Sequence, residues 1–210
     1  MKKTMKNILV GIAMSAGIVM AGVNPASAEE HLFLKDSNGN PIVYGQEYYM
    51  ESYEHPGYRA AYAWWDTIIL EDEEHSEPIK FQKPMSQSDN PENVNIQIST
   101  GYDSTWRYLT KMPYSIWGTY SLNGYGDVDR RKAGTWVPTE PSADMNPDLK
   151  TGNYYALKNP YEYAVRHIGY PEPVILPPAF ISHNGIAKNT ELSTNPTLDS
   201  KAMWRFVPKK

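Results

Sequence analysis

Cysteine is absent from this 210-residue chain. Its absence excludes disulfide bonds, thiolate metal sites and cysteine nucleophiles, so the hydrophobic core alone must stabilise the fold. Phenylalanine is scarce, with 4 residues against 16 tyrosines and 6 tryptophans. After residue 28 no apolar run approaches the roughly 20 residues that a membrane-spanning helix needs. The 20 lysines and arginines are outnumbered by 24 aspartates and glutamates, and this balance argues against nucleic acid as a partner.

The first 28 residues have the parts of a secretory signal peptide. Three lysines precede an apolar stretch over residues 8–23, and residues 26–28 read Ala-Ser-Ala, the small-x-small pattern of a cleavage site. We predict a signal peptide over residues 1–28 and one secreted domain, expected to be a monomer, over residues 29–210. With those three lysines removed and all 24 acidic residues kept, the mature chain would carry a net charge of −7. The short basic signal and the lack of cysteine are typical of bacterial secretion.

The remainder of the chain has the composition of short strands joined by turns. It holds 16 of the 17 prolines and every tyrosine, tryptophan and phenylalanine. No segment keeps a helical period beyond two turns, whereas residues 94–98 alternate apolar and polar as a half-buried strand does. The pattern predicts an all-β fold.

Residues 34–50 predict a strand, a turn and a second strand. Asn38-Gly39 is a strong hairpin signal, because the tightest two-residue turn needs positive φ at both positions. The spacing also resembles the N-terminal signature of soybean-type Kunitz inhibitors. The positions that meet this signature are Leu34, Asp36, Asn38, Gly39, Asn40, Ile42, Tyr48 and Met50.

Three segments begin with a glycine followed by aromatic and apolar residues, at Gly45, Gly101 and Gly152. They also close alike, near Phe81, Trp136 and Trp204. Three degenerate units of about fifty residues predict a β-trefoil, in which no unit buries its apolar face alone. The resemblance to Kunitz inhibitors extends over residues 34–209 and implies the same fold. It departs from the plant inhibitors in lacking their two disulfides.

The resemblance further implies protease inhibition through the loop between the fourth and fifth strands. The alignment places that loop on the acidic run that ends at Pro78. The candidate contact residues are Glu73, Glu74, His75, Ser76 and Glu77. Because no lysine or arginine lies among them, inhibition of trypsin, whose specificity pocket is acidic, is disfavoured. A solvated loop and a weak calcium site are the alternatives for this run, and the basic turn that carries Arg130 and Arg131 is another candidate loop.

Glycan or receptor binding is the alternative function. The chain lacks the Gln-x-Trp repeat of ricin-type lectins, but aromatic rings stack on sugar faces. Trp64 and Trp65 are candidates, since adjacent residues of a strand face opposite sides and one of the pair should point outward. Trp117 and residues 120–125 are further candidates. The receptor-binding ends of clostridial neurotoxins also resemble Kunitz-type trefoils, which suggests a toxin or a toxin-accessory role.

Enzymatic motifs are missing. The five histidines follow no metal-ligand spacing, and the sequence has neither a Gly-x-Ser-x-Gly elbow nor a phosphate-binding glycine loop. We therefore predict no cofactor, no metal and no catalytic activity. The leading interpretation is a non-enzymatic binding protein with a protein target, of which a protease is the specific case.

Overall fold

The computed structural model describes residues 30–85, 90–102, 105–112, 115–119, 128–165, 172–185 and 187–210, so the predicted signal peptide lies outside it. Its strands are β1 Glu30–Lys35, β2 Pro41–Val43, β3 Glu47–Ser52, β4 Tyr58–Tyr62, β5 Ile68–Asp72, β6 Ile79–Gln82, β7 Val94–Ser99, β8 Trp106–Met112, β9 Ser115–Thr119, β10 Thr135–Thr139, β11 Ala156–Asn159, β12 Tyr163–Val165, β13 Val174–Leu176, β14 Ala179–Ser182, β15 Thr190–Glu191, β16 Ser193–Asn195 and β17 Trp204–Pro208. The two helices are short, α1 Val128–Ala133 and α2 Asp148–Thr151, and 3-10 turns occur at Trp64–Asp66 and Ser200–Ala202. Within the described residues, no helix has the length and apolarity to span a bilayer.

The opening hairpin forms as predicted, with one difference in its turn. β1 and β2 pair antiparallel, and the Asp36 carboxylate accepts the backbone N–H groups of Asn38 and Asn40 at 2.8 and 2.9 Å. Only Gly39 has positive φ, at 84°. The carboxylate therefore closes the turn where a tight two-residue turn would have needed positive φ twice.

Six strands close into a barrel. β3 pairs with β6, β6 with β7, β7 with β10, and β10 with β11. The ring closes through β17, which pairs with β3 along its whole length and meets the start of β11 at a Tyr155–Trp204 bridge. Two backbone hydrogen bonds of 2.8 and 2.9 Å form this bridge. The first and last strands of the barrel, β3 and β17, are thus neighbours, and closure removes the exposed sheet edge.

Three hairpins cover one end of this barrel, one from each third of the chain: β4–β5, β8–β9 and β14–β16. They meet through backbone hydrogen bonds that link Ile116 to Leu192 and Leu192 to Ile68, each 2.8 Å long. All three of these side chains are fully buried. A six-stranded barrel with a three-hairpin cap is the β-trefoil architecture that the repeats predicted.

The core repeats between units as well. Trp136 and Trp204 are fully buried, and their indole N–H groups donate to the backbone oxygens of Leu109 and Ile181 at 3.0 and 3.1 Å. Both acceptors lie in the cap hairpin of the same unit. Phe81, the third predicted closing residue, is equally buried. The closing residues of the predicted units are therefore core residues.

The predicted start of the second unit was wrong. Gly45 and Gly152 do precede the equivalent barrel strands β3 and β11, but Gly101 lies after β7, in the loop that leads to β8. The equivalent of β3 in the second unit is β7, which begins at Val94. The glycine pattern misled because Gly101, with φ of 73°, serves a loop and not a unit boundary.

Candidate binding surface

The connection between β4 and β5 places two tryptophans in solvent. Trp64 and Trp65 are 79% and 86% exposed. At least one of the pair was expected to point outward. Both do so, because they lie in a 3-10 turn where the alternation of a strand does not apply. Two adjacent exposed indoles form an apolar surface of the kind that marks interaction sites, so they are candidates for one.

This turn has a strained backbone. Trp65 and Asp66 both have φ of 64°, in the left-handed region that bulky residues avoid. The conformation is held by Asp66, whose carboxylate accepts the Tyr62 hydroxyl and forms a 2.6 Å ion pair with Arg107 of β8. A backbone hydrogen bond of 2.8 Å from Ala63 to Thr67 closes the loop. Strain that the surrounding structure maintains is typical of functional sites.

Tyr102 extends the exposed aromatic surface. It lies in the β7–β8 loop, is 76% exposed, and its ring centre is 6.4 Å from that of Trp64. We call Trp64, Trp65 and Tyr102 the aromatic platform. The platform lines a cavity of about 260 Å³ together with Tyr62, Arg107 and other residues.

A second concavity, of about 520 Å³, adjoins the platform and shares Tyr62 and Tyr102 with it. We call it the acidic groove. Its charged and polar lining consists of Glu71, Glu74, His75, Ser76, Glu77, Lys188 and Asn189. Four of the five predicted loop residues are thus brought together here. Glu73 is the exception, because its carboxylate pairs with Arg59 at 2.8 Å.

The pKa values of the acidic side chains shift in opposite directions inside the acidic groove and at its rim. Burial raises the pKa of Glu77, whose carboxylate also accepts the Tyr62 backbone N–H at 3.0 Å. The neighbouring charge of Glu71 raises it further. At the rim, hydrogen bonds from Lys188 and then His75 lower the pKa of Asp72 to about 2, and the same Asp72 raises the pKa of His75.

The strand count corrects the placement of the inhibitory loop. Within the first unit β3, β4, β5 and β6 are the four strands, so the acidic run connects the third strand to the fourth. The connection between the fourth and fifth strands is residues 83–93, of which 86–89 lie outside the description. Its described ends are held by Asn95, whose side chain accepts the Met85 N–H at 3.0 Å, and by His31, 3.0 Å from the Glu92 backbone oxygen.

The other candidates lie elsewhere. Arg130 and Arg131 belong to α1, so the expectation of a basic turn was wrong. Arg131 is exposed, whereas the side chain of Arg130 is not among those that the structure describes. Neither is among the described residues that line the platform cavity or the acidic groove. Trp117 is partly buried and donates to the Ser115 hydroxyl at 2.7 Å. Residues 120–125 lie outside the described ranges.

The described residues include two groups of potential metal ligands. They are Glu54 with His55 and His183, and Glu71 with Asp72 and His75. Sequence spacing missed the first because it joins distant segments, whereas the second falls on the acidic run, for which a weak calcium site was an alternative. In the first group, His183 accepts the Gly185 backbone N–H at Nδ1, so the ring proton lies on Nε2, facing Ser52 at 3.2 Å. A metal at Nε2 would have to displace that proton.

The second group is already neutralised in part. Lys188 forms an ion pair with Asp72 at 2.8 Å, and His75 is 2.6 Å from the same carboxylate. A calcium ion would have to displace both groups, so the acidic run is a poor calcium site.

No protein-family model and no curated protein matches this chain. Solved structures do match. The receptor binding domain of the botulinum neurotoxin C/D mosaic serotype aligns over 84% of this chain and 45% of its own length, with a TM-score of 0.53 and 12% identity. The binding domain of botulinum neurotoxin DC, solved in complex with rat synaptotagmin II, aligns over 83% of this chain and 46% of its own length, with a TM-score of 0.51 and 14% identity. This chain therefore spans about half the length of those domains.

Alocasin, a protease inhibitor from giant taro (Arum macrorrhizon), aligns over 84% of this chain and 98% of its own length, with a TM-score of 0.53 and 16% identity. Identities this low establish the fold alone. These neighbours are β-trefoil proteins, and the fold predicted from the sequence is confirmed.

Proposed function

We propose that this chain is a secreted, non-enzymatic binding protein whose aromatic platform contacts a protein partner. The exposure of Trp64 and Trp65 carries the proposal. Tryptophan and tyrosine are enriched at the energetic centres of protein interfaces, since a large rigid ring buries much area at a small entropic penalty. Left-handed backbone at Trp65 destabilises the isolated chain, and a binding role accounts for its presence.

Glycan binding is the second candidate, and the cavity beside the ring of Trp64 is the observation that favours it. Ring faces stack on sugars, and Arg107 and Thr100 on the cavity wall offer polar groups. The surplus of carboxylates in the adjoining groove disfavours acidic sugars, because like charges repel. A protein is therefore the preferred ligand class.

A protein microarray and a glycan array, each probed with the mature chain and with its Trp64→Ala, Trp65→Ala double variant, separate the two classes. We expect binding to at least one protein and a loss of affinity of about thirtyfold or more in the variant, because truncating a central aromatic removes roughly 2 kcal/mol or more. Phe33→Ala is the matched control, since Phe33 is also an exposed aromatic but does not line the platform cavity. If the double variant still binds the protein, the aromatic platform is not the contact surface. If the unmodified chain binds a glycan that the double variant does not bind, the ligand is a glycan and not a protein.

Protease inhibition is the narrower form of this proposal. The strand count moves its candidate loop from the acidic run to residues 83–93, which begin with a basic residue, Lys83. A panel of serine and cysteine proteases should be slowed by the mature chain, and Lys83→Ala should weaken that inhibition. A Glu73→Gln, Glu74→Gln variant tests the original acidic loop. If neither variant changes inhibition, the contact lies elsewhere; if no protease is slowed, the inhibitor hypothesis is wrong.

A further inference from the structure

The acidic groove has an unbalanced charge. Glu71, Glu74 and Glu77 line it, and Lys188 is the one lysine or arginine among its described lining residues. That lysine is committed mainly to Asp72, at 2.8 Å, and stands 3.8 Å from Glu71. Since Glu71 is more than nine-tenths buried, its charge is weakly screened by water and only partly compensated.

Glu77 lies where the acidic groove meets the platform. One oxygen of its carboxylate accepts the Tyr62 N–H at 3.0 Å. This bond ties Glu77 to Tyr62, which with Tyr102 lines both concavities. The other oxygen faces Gly101, where a Cβ atom would stand only 2.6 Å from it. Glycine at this position leaves room for the carboxylate. Burial and the neighbouring charge of Glu71 raise the pKa of Glu77. A cation placed between Glu71 and Glu77 would therefore relieve an existing repulsion.

We propose that the acidic groove receives a lysine or arginine side chain of the protein partner, while the aromatic platform packs on the apolar residues beside that side chain. The proposal rests on the proposed function and specifies its ligand chemistry. Charge complementarity with Glu71, Glu74 and Glu77 selects a cation, and the tyrosine rings that flank the groove add cation–π attraction.

The volume of the groove suits such an occupant. Its volume of about 520 Å³ accommodates a long side chain together with part of the adjoining backbone. An arginine would extend past Tyr102 and bring its guanidinium to the carboxylates, which is a favourable geometry for paired hydrogen bonds. An acidic partner or a sialylated glycan would meet a surplus of negative charge there.

Capped tripeptides test the groove without knowledge of the natural partner. The probes are acetyl-Gly-Arg-Gly-amide, the lysine equivalent, and the citrulline equivalent, which is nearly isosteric with arginine but neutral. Binding is followed by nuclear magnetic resonance at the indole N–H signals of Trp64 and Trp65 and at the backbone N–H of Tyr62. We expect the arginine and lysine peptides to bind at least about tenfold more tightly than the citrulline peptide, as loss of a charge-assisted contact predicts.

Isosteric variants locate the contact. Glu77→Gln and Glu74→Gln should each weaken the arginine peptide by about fivefold to tenfold, because each removes one charge and keeps the shape. Glu162→Gln, an exposed acid that does not line the groove, should leave it unchanged. Should Glu77→Gln fail to fold, the exposed Glu74 still provides the test. Equal affinity for the citrulline peptide, or unchanged affinity in both groove variants, would overturn the proposal.

The same variants distinguish the two levels of the hypothesis when an array partner is used as the ligand. If Trp64→Ala abolishes its binding while Glu74→Gln and Glu77→Gln do not, the groove proposal fails and the platform stands. If the tryptophan variants keep full binding, the proposed function itself fails.

Discussion

Lys111 provides a quantitative test of the folded structure. Its side chain in β8 is 1% exposed, and its ammonium donates to the backbone oxygens of Tyr161 at 3.3 Å and Pro177 at 2.5 Å. The ammonium also lies 4.9 Å from the ring centre of Tyr163. Within the described part of the chain, the ammonium therefore contacts two carbonyl oxygens and an aromatic ring, and no ion pair with a carboxylate is seen. Burial lowers the pKa of Lys111 from 10.5 to about 8.

The sign of the pH effect follows from that direction. Between pH 8 and pH 10.5 the unfolded chain holds the lysine proton while the folded chain releases it, so the free energy of unfolding rises with pH. Below pH 8 both states are protonated, and the full penalty of about 3 kcal/mol applies. From pH 7 to pH 10 the folded state should regain about 2.5 kcal/mol of this penalty.

The assay compares the mature chain with Lys111→Met, in which this titration is absent. Urea unfolding at pH 7, 8, 9 and 10 gives the free energy of unfolding of each, and their difference cancels the titration of other groups. The difference should shift in favour of the unmodified chain by about 2.5 kcal/mol across this range. Lys150→Met, at a side chain 77% exposed, is the matched control. A flat difference for Lys111 would show that its ammonium is solvated and that the reasoning is wrong.

Three further outcomes are expected. In urea unfolding, Trp65→Gly should raise the free energy of unfolding by about 1 kcal/mol, because glycine relieves the left-handed backbone and the exposed indole contributes little packing. Trp64→Gly is the control: φ is not positive there, so it should give no such gain. Trp136→Ala should lower the free energy of unfolding by about 3–5 kcal/mol in the same assay, since it empties a fully buried site, and a loss below about 1 kcal/mol would contradict its core position. Protein recovered from culture medium should begin at Glu29 on N-terminal sequencing; a retained residue 1–28 segment would exclude the proposed cleavage.

Much of the fold could be predicted because its signals are local. Leu34, Ile42, Tyr48 and Met50 alternate around a turn whose Asp36 bonds residues only two and four positions away, and all four apolar side chains are buried. The strand at residues 94–98 followed from its period alone. The start of the second unit could not be read in this way, because a glycine in a loop and a glycine at a unit boundary have the same local preference.

The candidate surface depends on contacts that the sequence does not encode locally. Nothing in the residue preferences of Trp65 predicts positive φ; the conformation depends on Asp66 and on Arg107, which arrives from another hairpin. Lys188 reaches the acidic run from 116 positions away and changes the charge of its rim. The sequence could therefore name Trp64 and the acidic run as candidates, but it could not show that they adjoin.

The role of the aromatic platform is tested by the affinity of an array-identified protein partner for the mature chain and for the Trp64→Ala, Trp65→Ala variant. Isothermal titration calorimetry measures both values, with Phe33→Ala as the control. We expect a loss of affinity of about thirtyfold or more in the double variant, corresponding to at least roughly 2 kcal/mol, and little change in the control. Equal affinity of the double variant and the unmodified chain would contradict this role.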